Sequence, residues 1–230
     1  MLSLVIPVYN AEKIIQGSYK ILSRCLQASG YDYEIIFEDD TSLDSSLEVL
    51  EAIGRIDPRV KVFSHYPNQG LGCTLRRLFK RSSGDIIIYL DIDLPFGIAC
   101  LPLLLKEAED FDVVLACRYL CPESKIPVLR KVSSEAYCFL CRVLFNVRVR
   151  DLGSGFVVFK RRAIEGLDLK ASGFDIHIEM FTRLRERGIQ VKEIPLPYNY
   201  SGYSTFSILR HGPRIVINTL KFWLNENLFS

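Results

Sequence analysis

The sequence predicts an α/β protein built on a doubly wound, mostly parallel sheet, and three observations carry that prediction. Short apolar, β-branched runs alternate along the first half with stretches whose apolar positions recur at helical spacing. The run Ile86–Leu90 is apolar on both faces, as a central parallel strand covered on both sides must be. Three of the strand-like runs also discharge polar or acidic residues at their C-terminal ends. That edge is where open α/β sheets bind their ligands.

Taken in order, Leu2–Val8 reads as the first strand, and Ile15, Tyr19, Leu22 and Leu26 follow at helical spacing. Tyr33–Phe37 is the second strand, and Leu43, Leu47, Leu50 and Ile53 then share one helix face. Val60–Phe63 and a helix from Leu71 to Phe79 come next, then Ile86–Leu90, an apolar helix around Leu101–Leu105, and a strand at Asp112–Ala116. This alternation calls for right-handed crossovers between parallel strands. The second half is less regular. Tyr119 to Pro127 reads as a loop, Val128 to Phe145 as a helix, Phe156–Phe159 as a strand, and Phe174 to Arg187 as a helix ended by Gly188. Val191–Ile194 is a last strand, Tyr198 to Ser207 is turn-rich, and Ile208 to Phe229 is helical with Arg214, Asn218, Lys221 and Asn225 as its polar stripe. The expected organisation is one domain over residues 1–207 and an amphipathic helical extension over 208–230.

A chain of 230 residues, 49% hydrophobic and 24% charged, can bury a sizeable core. A net charge of +2 argues against a nucleic-acid partner. Seven cysteines without a repeating spacing read as reduced structural thiols of a cytosolic protein. Cys138 and Cys141 form a CxxC pair with no second pair or histidine to complete a zinc site. Met1 runs straight into a strand, so no leader is expected, and no apolar stretch reaches the ~18–20 residues that cross a bilayer.

Chemistry concentrates at the strand ends. Asp91 and Asp93 close the run Ile86–Leu90, one residue apart. Two such carboxylates cost desolvation and mutual repulsion unless a cation or strong donors compensate them. A divalent metal gripping a pyrophosphate would do so; capping of the next turn is the plain alternative. After the first strand, Pro7 turns the chain out of the sheet, and Tyr9 and Asn10 face the crevice, where a planar base could stack. After the second, Thr41, Ser42 and Asp44 suit a helix cap, while Asp39 and Asp40 exceed what capping needs and suit a nucleobase N–H and a ribose hydroxyl. Gly70 and Gly72 suit close backbone approach at a helix start, and Arg76, Arg77, Lys80 and Arg81 read more readily as a solvated face than as a diphosphate site.

These pieces together resemble the family 2 glycosyltransferases of the GT-A fold, and within them the branch that makes polyprenyl-phosphate sugars, the dolichyl-phosphate mannose and glucose synthases. The resemblance rests on IPVYN at 6–10, EDDTSLDSS at 38–46, NQGLG at 68–72, SSGDIIIYLDIDL at 82–94, ACRY at 116–119, DLGSGF at 151–156 and FDIHIEMFTRLRERG at 174–188. It implies that Pro7, Tyr9 and Asp39 or Asp40 hold the nucleoside, and that Asp91 and Asp93 hold Mg²⁺ or Mn²⁺ against the donor diphosphate. It further implies that Arg118, with Arg130 and Ser134 one helical turn apart, meets the acceptor phosphate, and that Ser154 and Gly155 line the donor sugar. Two positions depart from the family pattern: Pro95 stands where a third, glutamine ligand is common, and Thr205 stands where a lysine usually meets the diphosphate.

The implied reaction is an inverting, metal-dependent transfer from a nucleotide sugar to a polyprenyl monophosphate. An acceptor hydroxyl would instead need a carboxylate base, with Asp175 or Glu179 as candidates; a non-catalytic nucleotide-sugar binder is the remaining reading. The apolar face of the last helix, with Phe222 and Trp223 between Arg210, Arg214 and Lys221, suits a peripheral position on the cytoplasmic membrane face, core packing, or a homodimer contact.

Overall fold

A computed structural model describes residues 1–199 and 208–228. The strands are β1 (Leu2–Val8), β2 (Tyr33–Asp39), β3 (Val60–Ser64), β4 (Ile86–Leu90), β5 (Val113–Cys117), β6 (Phe156–Lys160) and β7 (Val191–Pro195). The helices are α1 (Glu12–Ser29), α2 (Ser46–Ile56), α3 (Leu71–Arg81), α4 (Leu101–Asp110), α5 (Val128–Phe145), the short α6 (Arg161–Ile164), α7 (Ile176–Glu186) and α8 (Ile208–Leu228). The strands form one seven-stranded sheet in the order β3-β2-β1-β4-β6-β5-β7. Every pairing is parallel except those of β6, which runs antiparallel between β4 and β5.

The period of two along the strands sorts side chains into two cores. Leu4, Ile6, Ile35, Phe37, Ile88 and Leu90 face α1, α2 and α4, whereas Val5, Ile36, Ile87 and Tyr89 face α3, α5 and α7. Both faces of the sheet are therefore covered, as the unbroken apolar run of β4 requires.

Several boundaries differ from the sequence reading. The helix expected from Leu43 begins at Ser46, and Leu43 is exposed. Asp44 is the reason: its carboxylate accepts from the Ser46 N–H at 3.0 Å and from the Glu12 N–H at 3.1 Å, and so fixes the helix start three residues later. The direction of β6 follows from its entry point. The Asp91 N–H donates to Gly155 O at 2.9 Å, so the chain reaches β6 already at the carboxyl edge of the sheet and must run back.

In α8, Phe222 stacks on Phe145 with ring centroids 5.1 Å apart, and Trp223 packs into the same core. Of the three roles open to these aromatics, the structure shows core packing: both point inward onto the apolar surface of α5 and α7. Asn218 of the polar stripe also turns inward, its amide donating to Asp175 at 3.2 Å. No helix among the described residues is long and apolar enough to cross a membrane. All seven cysteines are free thiols, and burial pushes Cys141 up to about 12.

Candidate active site

Strand β1 has β2 on one side and β4 on the other, so the winding of the sheet reverses there and opens a crevice at the carboxyl edge. A cleft of ≈ 1100 Å³ occupies this place. Pro7, Tyr9, Asn10 and Asp40 line its β1–β2 end, and Asp91 and Asp93 line the middle. Arg118, Arg130, Ser134 and Asp175 line the far side.

Asp91 leaves β4 half-buried, and its carboxylate accepts a hydrogen bond from the Tyr89 hydroxyl at 2.7 Å. Burial pushes its carboxyl above the usual range, while the Tyr89 hydroxyl, Arg118 and Arg130 pull it back. On the other side lies Gly155, where a Cβ would stand 2.0 Å from Asp91 Oδ2. Leu94, with φ 47, carries the chain out of the Asp91–Asp93 turn. Pro95 is buried and its carbonyl accepts from the Asn199 N–H, so this position holds a loop.

Arg118 is buried at the end of β5 and clamped by Asp151. Its backbone N–H and its Nε both donate to Asp151 Oδ2, at 2.9 and 2.8 Å, and its Nη2 donates to Gly153 O. Burial opposes the charge, but the Asp151 carboxylate outweighs it and holds the guanidinium protonated above its ordinary value. The Tyr198 ring lies 4.4 Å from the Arg118 guanidinium and 5.8 Å from that of Arg130. Arg130 and Ser134 approach the same space from one face of α5.

At the nucleoside end the two neighbouring aspartates part company. Asp39 is buried and does not reach the cleft, because both its oxygens accept from Ser42. Strand parity places it with Ile35 and Phe37, on the α1–α2 side of the sheet. Asp40 does line the cleft, and its carboxylate accepts from the Gln69 N–H at 2.8 Å, the Gly70 N–H at 2.9 Å and the His65 Nε2 at 2.9 Å. Asn10, in the left-handed region at φ 50, accepts from the Leu43 N–H and so braces the loop after β2. Tyr9 is 37% exposed, leaving its ring available to a planar ligand.

Other expectations are redistributed. Ser154 does not line the cleft, because its buried hydroxyl donates to Ala116 O at 2.7 Å and ties β5 to the start of β6. Gly155 serves as clearance for Asp91, and Asp151, Leu152 and Gly153 are the residues of that loop on the cleft. Glu179 is buried with its carboxylate accepting from the Lys170 and Ala171 N–H groups, which leaves Asp175, just before α7, as the carboxylate that faces the cleft. Gly70 and Gly72 do permit close approach: a Cβ at Gly72 would lie 2.3 Å from Ala171 O. Arg76 donates to Leu169 O and Arg81 pairs with Glu38, so those cations brace the scaffold. Sequence reasoning missed Asp151 and His177, although both stand within the quoted motifs.

Asp91 and Asp93 present hard oxygen donors at the mouth of β4, and the raised Asp91 carboxyl marks negative charge held at a desolvation cost that a cation would relieve. The residues fit a divalent ion that draws its remaining ligands from water or a diphosphate.

The sheet order, the switch-point cleft and the carboxylate pair define an α/β protein of the GT-A fold. The chain belongs to glycosyl transferase family 2, whose model matches residues 3–167. It is 28% identical over 228 residues to a dolichol-phosphate mannosyltransferase of Pyrococcus furiosus, covering 93% of this chain and 63% of that protein. It is 29% identical over 169 residues to a prophage bactoprenol glucosyl transferase homolog of Escherichia coli, covering 73% of this chain and 55% of that one. The chain thus spans about half to two thirds of these relatives' lengths. The glucosyl-3-phosphoglycerate synthase of Mycobacterium tuberculosis, solved with Mn²⁺ and UDP-glucose, shares the fold with a TM-score of 0.73 at 20% identity, over 97% of this chain and 78% of that one.

Proposed function

We propose that this protein transfers a sugar, with inversion, from a nucleotide-sugar donor to a polyprenyl monophosphate. The observation that carries the reading is the placement of Arg118, Arg130 and Ser134 across the cleft from Asp91 and Asp93. A phosphate monoester has its second pKa at about 6 and is largely ionised near neutral pH, so it needs positioning cations more than a general base. Arg118 suits that task because Asp151 fixes its orientation while most of its five N–H donors remain for a ligand.

Tyr9 and Asp40 hold the nucleoside, and Asp91 and Asp93 hold Mg²⁺ or Mn²⁺. A divalent ion held there would supply positive charge against the departing diphosphate. Arg118 and Arg130 aim the phosphate oxygen at the anomeric carbon, and Ser134 donates to it. Asp175 keeps a second reading open, since it lines the cleft and could take the proton of an acceptor hydroxyl.

Residues 1–207 form the catalytic part in this reading, and 208–230 a docked helical extension. The surface that suits a membrane is on α5. Val128, Val132, Phe139 and Val143 form one exposed stripe at helical spacing, flanked by Lys131 and Arg142, with Glu135 the carboxylate among them. The stripe lies opposite Arg130 and Ser134 on the same helix, which would set the acceptor site just inside a cytoplasmic lipid surface.

The test is a panel of UDP-glucose and GDP-mannose with Mn²⁺ and either a short polyprenyl phosphate or a sugar hydroxyl acceptor. Product with the phosphate, lost in Asp93→Ala at unchanged melting temperature, is expected. Product with hydroxyl acceptors alone would overturn the proposal.

A further inference from the structure

His177 is buried at the start of α7, 8% exposed, yet it lines the cleft. Its Nδ1 lies 3.1 Å from Phe174 O, and a carbonyl can only accept, so Nδ1 carries the proton. Nε2 is then a bare lone pair, and it has no hydrogen-bond partner among the described residues. An unsatisfied buried acceptor costs free energy, and such groups are normally paired with protein, water or ligand. The ring is held against Tyr89 with centroids 6.0 Å apart, so it cannot swing to find a partner without leaving the tyrosine that supports Asp91. Burial pushes its pKa down to about 4, which keeps the imidazole neutral and Nε2 an acceptor near neutral pH.

The ligand atom that satisfies Nε2 must be a hydrogen-bond donor. Ionised diphosphate and phosphate oxygens offer only lone pairs and would be repelled. The nucleoside groups that donate belong at the β1–β2 end, with Tyr9 and Asp40, whereas His177 stands beside Tyr89 at the end of β4. What remains is a hydroxyl of the sugar under transfer.

We propose that His177 Nε2 accepts a hydrogen bond from one hydroxyl of the donor sugar and so selects the sugar that this protein transfers. The inference rests on the cleft being a sugar-nucleotide site, but not on the identity of the acceptor. His177 is a specificity-determining residue in this role, fixed by Phe174 on one side and Tyr89 on the other.

The experiment measures Mn²⁺-dependent binding of UDP, GDP, UDP-glucose, GDP-mannose and the monodeoxy analogues of both sugars to the full chain and to His177→Phe and His177→Gln. Phe keeps the ring without the acceptor, and Gln restores an acceptor oxygen. His177→Phe is expected to weaken the preferred sugar nucleotide by about tenfold to a hundredfold while leaving the bare diphosphates unchanged, and His177→Gln is expected to recover part of the loss. One deoxy analogue should bind wild type and His177→Phe alike, which identifies the hydroxyl. A loss of equal size on UDP or GDP, or the same loss with every deoxy analogue, would overturn the proposal. Binding needs no acceptor, so failure of polyprenyl-phosphate transfer would strike the proposed function and leave this result standing.

Discussion

Gly155 and Asp91 touch so closely that the glycine hydrogen occupies the only space the carboxylate leaves: a Cβ there would lie 2.0 Å from Oδ2 and 2.4 Å from the carboxyl carbon. The Asp91 N–H also donates to Gly155 O. One residue thus sets both the backbone and the side chain of the proposed metal ligand. Gly155→Ala should push the Asp91 carboxylate aside by the order of an ångström, and misplacement of that size costs about 10²-fold in rate. The expected outcome is that loss in kcat/KM together with weaker Mn²⁺ binding, at a melting temperature within a few degrees of wild type. Unchanged Mn²⁺ affinity and rate would show that Asp91 takes no part.

Asp151 and Arg118 form a buried pair in which one carboxylate oxygen takes both the backbone N–H and the Nε of the arginine. Removing one partner of such a pair leaves a buried charge uncompensated, at about 3–5 kcal/mol. Asp151→Asn should therefore lower the denaturation midpoint and abolish transfer. Replacing both partners, Arg118→Met with Asp151→Leu, should recover much of the stability and none of the activity. Urea melts with turnover assays on the two variants check this; a stable, active Asp151→Asn would refute the clamp.

Much of the sheet was legible because period-two alternation reports strand faces directly, and β1 and β4 end where their apolar runs end, while β2 continues two residues past Phe37. The direction of β6 was not, since four apolar residues and a lysine carry no sign of which edge they start from. Asp39 and Asp40 look equivalent as sequence, and only strand parity with the Thr41 turn (φ 59) commits one to Ser42 and the other to the cleft. Arg118 was found through resemblance, whereas Asp151 lay unassigned in a separate motif because nothing local links positions 33 residues apart. His177 was hidden for a related reason: an unpaired ring nitrogen is a property of packing.

Glu34 gives the protein an acid limit unrelated to catalysis. It is buried at the start of β2 and accepts from the Ser3 hydroxyl at 2.6 Å, from Lys61 at 2.7 Å and from the Ser83 N–H at 2.7 Å. Burial alone would raise its pKa, but Lys61 and the serines outweigh this and lower it to about 2 from 4.5. A depressed folded pKa means that the folded state resists protonation. The stabilisation is fully present above about 4.5 and is lost as pH falls toward 2, and amounts to on the order of 2–3 kcal/mol. Glu34→Gln should therefore be less stable than wild type at pH 7 and nearly equal to it at pH 2, read from denaturant midpoints across that range. Parallel curves at all pH values would contradict the assignment.

Truncation after residue 207 cannot isolate a membrane role for α8, because that helix is part of the packing. Phe222 stacks on Phe145, Arg183 forms paired bonds to Glu226 at 2.7 and 2.6 Å, and Asn218 holds Asp175. Cutting it away exposes apolar core, so loss of flotation would follow from unfolding alone. The exposed stripe of α5 offers a cleaner probe, since Val132 and Phe139 are 58% and 67% exposed and support no packing of that size. Val132→Glu with Phe139→Glu should leave the melting temperature within about 0.5 kcal/mol-equivalent of wild type, as surface changes usually do. The same variant should lose binding to anionic liposomes, because it removes buried apolar area and adds repulsion from the lipid headgroups. Its turnover on a short, water-soluble polyprenyl phosphate should be unchanged, while turnover on a long-chain acceptor in vesicles should fall. Flotation and both assays on one preparation decide the matter, and a variant that still floats would place the membrane contact elsewhere on the protein.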